Sequence, residues 1–236
     1  HYATSGRFDD EVPFSVLMEE AKTYYATIVT PFGKLVAATL DKASGIKIDM
    51  IAPSHGLIWR SHIAEILDAY RKWSECRPVP RVVVVYDSMW GSTELMARAI
   101  AEGASIQGVD VRLISIRNSS LTKIAPEILD MATIAIGSAT LNQGMMPEMG
   151  ALTTYLKGLK PVGKAGFSFG SFGWGRGGAE DLNEWLKAMN WTILREPIKA
   201  QFRPSPETLN ECRVAGKMLA EKALEMAPDK SACERI

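Results

Sequence analysis

The chain has 236 residues, 47 % hydrophobic and 23 % charged, with 27 Lys and Arg against 27 Asp and Glu. That length carries one large domain or two modest ones, and the zero formal charge excludes a net field for nucleic acid or an anionic membrane. No apolar run approaches the roughly 18 residues of a membrane span, and Cys76, Cys212 and Cys233 lie in no metal-ligand or disulfide spacing, which fits a reducing, cytoplasmic setting.

Residue 1 is His rather than Met, so the chain is expected to start inside something longer or to have been processed. The acidic run Asp9-Asp10-Glu11 reads as a solvated helix start. Amphipathic helical patterns follow, one through Val16, Leu17, Tyr24, Ile28 and Val29, a second through Leu35, Val36 and Leu40 that ends at Gly45. Ile48 to Ala52 reads as a strand running into the turn Pro53-Ser54-His55-Gly56. A helix over Ser61 to Glu75 carries Ile63, Ile66, Leu67, Tyr70 and Trp73 on one stripe, with His62 exposed at its start. Cys76-Arg77-Pro78-Val79-Pro80 stops that helix and reads as a linker.

From Arg81 the pattern turns regular. Val82-Val83-Val84-Val85-Tyr86 is the continuous β-branched run of a parallel strand buried on both faces. A helix from Thr93 to Gln107 ends at Gly108, then strand and helix alternate. The strands are Val111 to Ile116, Thr133 to Gly137, Ala165 to Gly170 and Trp191 to Leu194. The helices are Ile124 to Met131, Met149 to Leu156, Ala179 to Met189 and Pro206 to Glu225. This is an α/β pattern: five strands separated by helices imply a doubly wound parallel sheet, whose ligands bind at the carboxyl ends of the central strands. The tail after Pro228 reads as disordered.

Three loops at that edge carry the candidate chemistry. The first, Asp87-Ser88-Met89-Trp90-Gly91-Ser92-Thr93, opens a helix, so free backbone N–H groups and the positive end of the dipole face one spot beside three hydroxyls. Without a Lys it is no nucleoside-triphosphate loop; it suits a permanently held monophosphate, and an ordinary capped helix start accounts for it equally well. The second runs from Gly137 to Pro147 and the third from Gly170 to Gly178. Their glycines let the backbone approach a flat ligand. Trp90 and Trp174 offer indole faces to a planar ring, although either alone reads more simply as a rim residue.

The segments DSMWGST, SATLNQG and FGSFGWG resemble the three flavin-binding loops of the flavodoxin-like domain of flavodiiron proteins, or A-type flavoproteins. IAPSHGLIW is similar to the end of that family's metallo-β-lactamase-like domain, and ATSGRFDDEVP to the stretch after a bridging aspartate. The resemblance implies a flavodoxin-like five-stranded sheet of order 2-1-3-4-5, preceded by a partial metallo-β-lactamase-like αβ segment. The expected domains are 1–77 (remnant of the diiron domain), 78–228 (FMN-binding) and the tail 229–236. It further implies FMN phosphate on Ser88, Met89, Trp90, Gly91, Ser92 and Thr93, and the ribityl chain and ring on Thr140, Leu141, Asn142, Gln143 and Gly144. Ser171, Phe172, Gly173, Trp174 and Gly175 then line the ring edge. His55 resembles the last diiron ligand; the others belong upstream of residue 1, and Asp9, Asp10 and Glu11 do not match ligand positions. Such proteins reduce dioxygen to water or nitric oxide to nitrous oxide, with electrons from rubredoxin, a reduced deazaflavin coenzyme or another reductase. They do so in a head-to-tail homodimer. The chain thus reads as the flavin half of such an enzyme, the missing ligands coming at most from a separate N-terminal fragment.

Other readings are weaker. Gly166-Phe167-Ser168-Phe169-Gly170 matches the hydrolase G-x-S-x-G, but every His lies upstream, and Ser168 reads as a strand residue. Gly173, Gly175 and Gly177 lack the dinucleotide-binding spacing. The long segment before the sheet argues against a free-standing electron carrier or quinone reductase. A cofactor-free flavodoxin-like interaction module stays open.

Overall fold

Apolar residues three and four apart give each helix before Arg77 one stripe to bury. The computed structural model, which describes residues 4–227, forms there α1 (Phe14–Tyr24), α2 (Gly33–Ala43) and α3 (Ile63–Ser74). His1, Cys233 and the tail 229–236 lie outside the described residues. Leu17, Leu57, Trp59 and Ile66 make a small core, with the Tyr25 ring 5.1 Å from Tyr70 and 5.4 Å from Trp73. The first helical pattern does not run unbroken to Val29. One π-helical turn occupies Tyr25–Val29 and a 3₁₀ turn Thr30–Phe32. The Thr27 and Thr30 hydroxyls donate to the carbonyls of Thr23 (2.8 Å) and Ala26 (3.1 Å), competing with the helical ladder, and Pro31 has no N–H to offer it. The expected strand from Ile48 to Ala52 is reduced to a single antiparallel bridge between Ile51 and Trp59, because no longer strand lies beside it among the described residues to complete a ladder.

Asp9 corrects the reading of the acidic run. It is fully buried and accepts the backbone N–H groups of Arg60 (3.0 Å), Ser61 (3.1 Å) and His62 (2.7 Å), fastening the residues that lead into α3. Burial pushes its carboxyl up, but these donors together outweigh it and hold the group below the usual carboxylate range. A group so lowered contributes stability above its unfolded pKa, near about 3.9, and loses that contribution as pH falls through the lower folded value. Asp9→Asn is therefore expected to cost about 1–3 kcal/mol near neutrality, measured by urea unfolding. The gap to the parent chain should close in strong acid; a gap independent of pH would remove the charge from the account.

The chain divides into two compact units, with the boundary between Arg77 and Pro78. In the second, the elements in order are β1 (Val79–Asp87), α4 (Ser92–Ala104), β2 (Asp110–Ser115), α5 (Leu121–Asp130) and β3 (Met131–Ser138). A hairpin of β4 (Thr140–Leu141) and β5 (Gly144–Met145) leads to α6 (Pro147–Leu159), β6 (Ala165–Phe172) and α7 (Gly178–Ala188). Then come β7 (Thr192–Ile193), β8 (Ile198–Gln201) and α8 (Pro206–Met226). The sheet is parallel in the order β2-β1-β3-β6-β7, with β8 also on β6. Val82, Val84 and Tyr86 pack in one core with residues of α4 and α8; Val83 and Val85 alternate to the other face, and α5 and α6 also lie against β1.

The fifth position of the sheet is not the single strand Trp191 to Leu194. Two short strands share it: β7 pairs with the start of β6 (Ala165 with Thr192) and β8 with its end (Phe169 with Ile198). Pro197 lies between them and has no N–H to carry the ladder through. No helix among the described residues is long and apolar enough to cross a membrane.

Candidate functional site

The three glycine-bearing loops leave the carboxyl ends of β1, β3 and β6, neighbours in the sheet. The first turns at Gly91, whose φ of +85° is open to glycine at no steric cost. The Ser88 hydroxyl oxygen accepts the N–H of Gly91 (3.1 Å) and of Glu94 (3.4 Å), pulling the loop tight against the start of α4. In the second, Asn142 (φ 49°) and Gln143 (φ 64°) form the two-residue turn of the β4–β5 hairpin, left-handed at both positions. The third crosses from β6 to α7 and is fastened to both others. Thr93 and Ser171 share a hydroxyl hydrogen bond of 2.9 Å, and Gly178 N–H donates to Thr140 Oγ1 at 3.2 Å.

Between them lies a cleft of about 540 Å³, in the size range of small-molecule and cofactor sites. Of the residues expected to bind, Met89, Trp90, Ser92, Thr140, Asn142, Gln143, Ser171, Phe172, Gly173, Trp174 and Gly175 line it. Ser88, Gly91, Thr93, Leu141 and Gly144 do not line it. Ser88 and Gly91 shape the first turn, Leu141 and Gly144 close the hairpin as a strand pair, and Thr93 is fully buried with its hydroxyl on Ser171. Trp90 is 89 % exposed and Trp174 96 %. Both indoles are open to solvent at the cleft, and Trp174 is held edge-on to Phe202 at 5.7 Å.

Ala139, Phe202 and Arg203 also line the cleft and were missed. Ala139 sits inside the second loop. Phe202 and Arg203 come from the turn after β8, a strand whose only signal was the short alternation of buried Ile198 and Ala200 with exposed Lys199 and Gln201. Beneath the site, Asp87 at the end of β1 is fully buried. Burial pushes its carboxyl above the usual range and the charge of Glu148 adds to that, against the Arg117 guanidinium that donates to it at 2.5 Å. Ser168 is a strand residue as expected, its hydroxyl donating to the carbonyl of Ala179 at 2.7 Å.

His55 lies in the first unit, exposed, on a separate cleft of about 240 Å³ walled by Leu17, Tyr24, Leu57, Trp59 and Tyr70. Its ring stands 5.8 Å from that of Tyr24. No three His, Cys, Asp or Glu side chains converge as ligands among the described residues, so the donor set needed for a pair of iron ions is not assembled by them. His62, expected exposed, is half-buried at the start of α3 with Nδ1 3.3 Å from Glu65 Oε1.

The sequence and the fold were compared with those of known proteins. The flavodoxin family model matches residues 84–216. The nitric oxide reductase of Moorella thermoacetica is 40 % identical over 225 residues, 94 % of this chain and 56 % of that protein. Among solved structures, the rubredoxin oxygen:oxidoreductase of Desulfovibrio gigas superposes with a TM-score of 0.91 at 32 % identity, covering 96 % of this chain and 58 % of the other. The flavodiiron protein of Giardia intestinalis superposes with a TM-score of 0.91 at 32 % identity, over 100 % and 57 %. The chain thus spans little more than half the length of these relatives.

Proposed function

The chain belongs to the flavodiiron protein family, and from that premise we propose that residues 78–228 hold FMN in the three-loop cleft and carry electrons through it. One observation supports the reading above the rest: a single cleft combines loop N–H groups and hydroxyls, a glycine-lined wall and two exposed indoles. The first loop, Ser88 to Thr93, would take the phosphate on neutral donors at the start of α4. Thr140 to Gly144 would take the ribityl chain and ring, and Ser171 to Gly175 the ring edge, with Trp90 and Trp174 against its faces. Bound FMN supplies transfer of one or two electrons; the protein supplies binding, orientation and a local field.

We read residues 1–77 as the end of a metallo-β-lactamase-like domain. With His55 the single candidate ligand, the described residues do not fit a diiron centre, and no step through iron is assigned to them. Dioxygen or nitric oxide as final acceptor, a rubredoxin or a reduced deazaflavin coenzyme as donor, and a head-to-tail homodimer follow from the family and remain proposals for the whole protein. A cytoplasmic setting suits Cys76 and Cys212, both free thiols, the second pushed up to about 12 by burial.

Flavin and iron per chain, measured on protein purified without denaturation, test the reading. About one FMN per chain is expected, with iron well below one atom per chain for this polypeptide alone. Two iron atoms per chain would show that the ligands are completed by residues outside the described set. A chain that neither copurifies with FMN nor accepts it on reconstitution would be an interaction module instead.

A further inference from the structure

The three-loop cleft carries a single charged side chain, Arg203. Arg203 also lines an outer recess of about 450 Å³ beside the start of α4, together with Gly91, Ser92, Glu94 and Arg98. Trp90, Ser92 and Arg203 are common to both. The charges of the recess are not equivalent. Arg98 donates to Glu94 at 2.9 and 2.6 Å, each compensating the other, whereas Arg203 is exposed and has no ion-pair or hydrogen-bond partner among the described residues.

The turn that carries Arg203 is nevertheless fixed. Phe202 N–H donates to the carbonyl of Phe172 at 2.7 Å, Pro204 is buried, and Ser205 caps α8 by accepting the N–H of Thr208 at 3.2 Å. An uncompensated guanidinium on an otherwise uncharged cleft leaves a local positive field, and its planar fork of donors matches phosphate oxygens. The first loop holds neutral donors only, so a dianionic ligand group there has no counter-charge from its own loop. Resting on the flavin reading, we infer that Arg203 supplies that charge: it binds the terminal phosphate of FMN from across the cleft.

The test separates the phosphate from the ring. The full chain, stripped of flavin, is titrated with FMN and with riboflavin, which has the same ring and ribityl chain but no phosphate, for the parent and for Arg203→Met. FMN is expected to bind the variant about tenfold more weakly, riboflavin within about twofold of the parent, with Arg203→Lys recovering part of the loss. Equal loss for both flavins, or none for FMN, overturns the assignment while leaving the flavin reading intact. A parent chain that takes neither flavin overturns both.

Discussion

Replacing Gly177 with Ala is expected to weaken FMN binding about 100-fold, equivalent to about 2.7 kcal/mol, while most of the sheet stays intact. Gly177 stands at φ 149°, ψ −40° at the start of α7, a conformation that a side chain makes costly by about 1–3 kcal/mol. A Cβ there would also overlap the carbonyl of Gln143, part of the hairpin turn that lines the cleft. Either the hairpin retreats from the third loop or the start of α7 shifts, and the Gly178 to Thr140 hydrogen bond that ties them is strained in both cases. Gly175→Ala, itself on the cleft lining, is the comparison that lacks the backbone overlap. Its Cβ would meet only the Gln143 Cγ at 3.2 Å, the flexible part of a side chain that can step aside. Flavin fluorescence titration and thermal unfolding read the two effects separately. Equal, small losses for both variants would mean that the close approach of the two loops does not shape the site.

Arg81→Met carries the largest expected cost in stability, about 3–5 kcal/mol. Arg81 opens the valine run of β1, is almost fully buried, and faces Asp110 at 2.7 Å, Asp130 at 2.8 Å and Glu127 at 3.2 Å. Burial works against its charge, and the surrounding carboxylates more than restore it, so its pKa is raised. Met keeps the apolar stem of the side chain but takes away the guanidinium that these acids share, while Arg112, 3.1 Å from Asp110, stays in place. Arg81→Lys should recover only part of the loss, because an ammonium is a point charge and a guanidinium serves several carboxylates at fixed angles. Arg81 lies at the opposite end of β1 from the first loop, so FMN affinity of the folded variant should stay within about twofold. A loss below about 1 kcal/mol in urea unfolding would place the network with ordinary surface ion pairs.

Much of this protein is written locally. Val82 to Val85 announce a strand covered on both faces, and the helical periods after it fix α4 to α8 within a few residues. The three loop segments DSMWGST, SATLNQG and FGSFGWG identify the family and eleven of the residues that line the cleft. These features are legible because hydrophobic period, β-branching and glycine turns act between near neighbours in sequence. What only the tertiary structure decided involves distant partners. Asp9 reads as an acid in water until the residues before α3 bring three N–H groups to it. Thr93 reads as one more hydroxyl of the first loop, and only the fold shows it buried and joined to Ser171 of the third. Phe202 and Arg203 have no motif at all; they reach the cleft because β8 pairs with the far end of β6 after Pro197 divides the edge of the sheet. The energy of such contacts is settled by which segments chain closure and packing bring together, and no window of neighbouring residues contains that information.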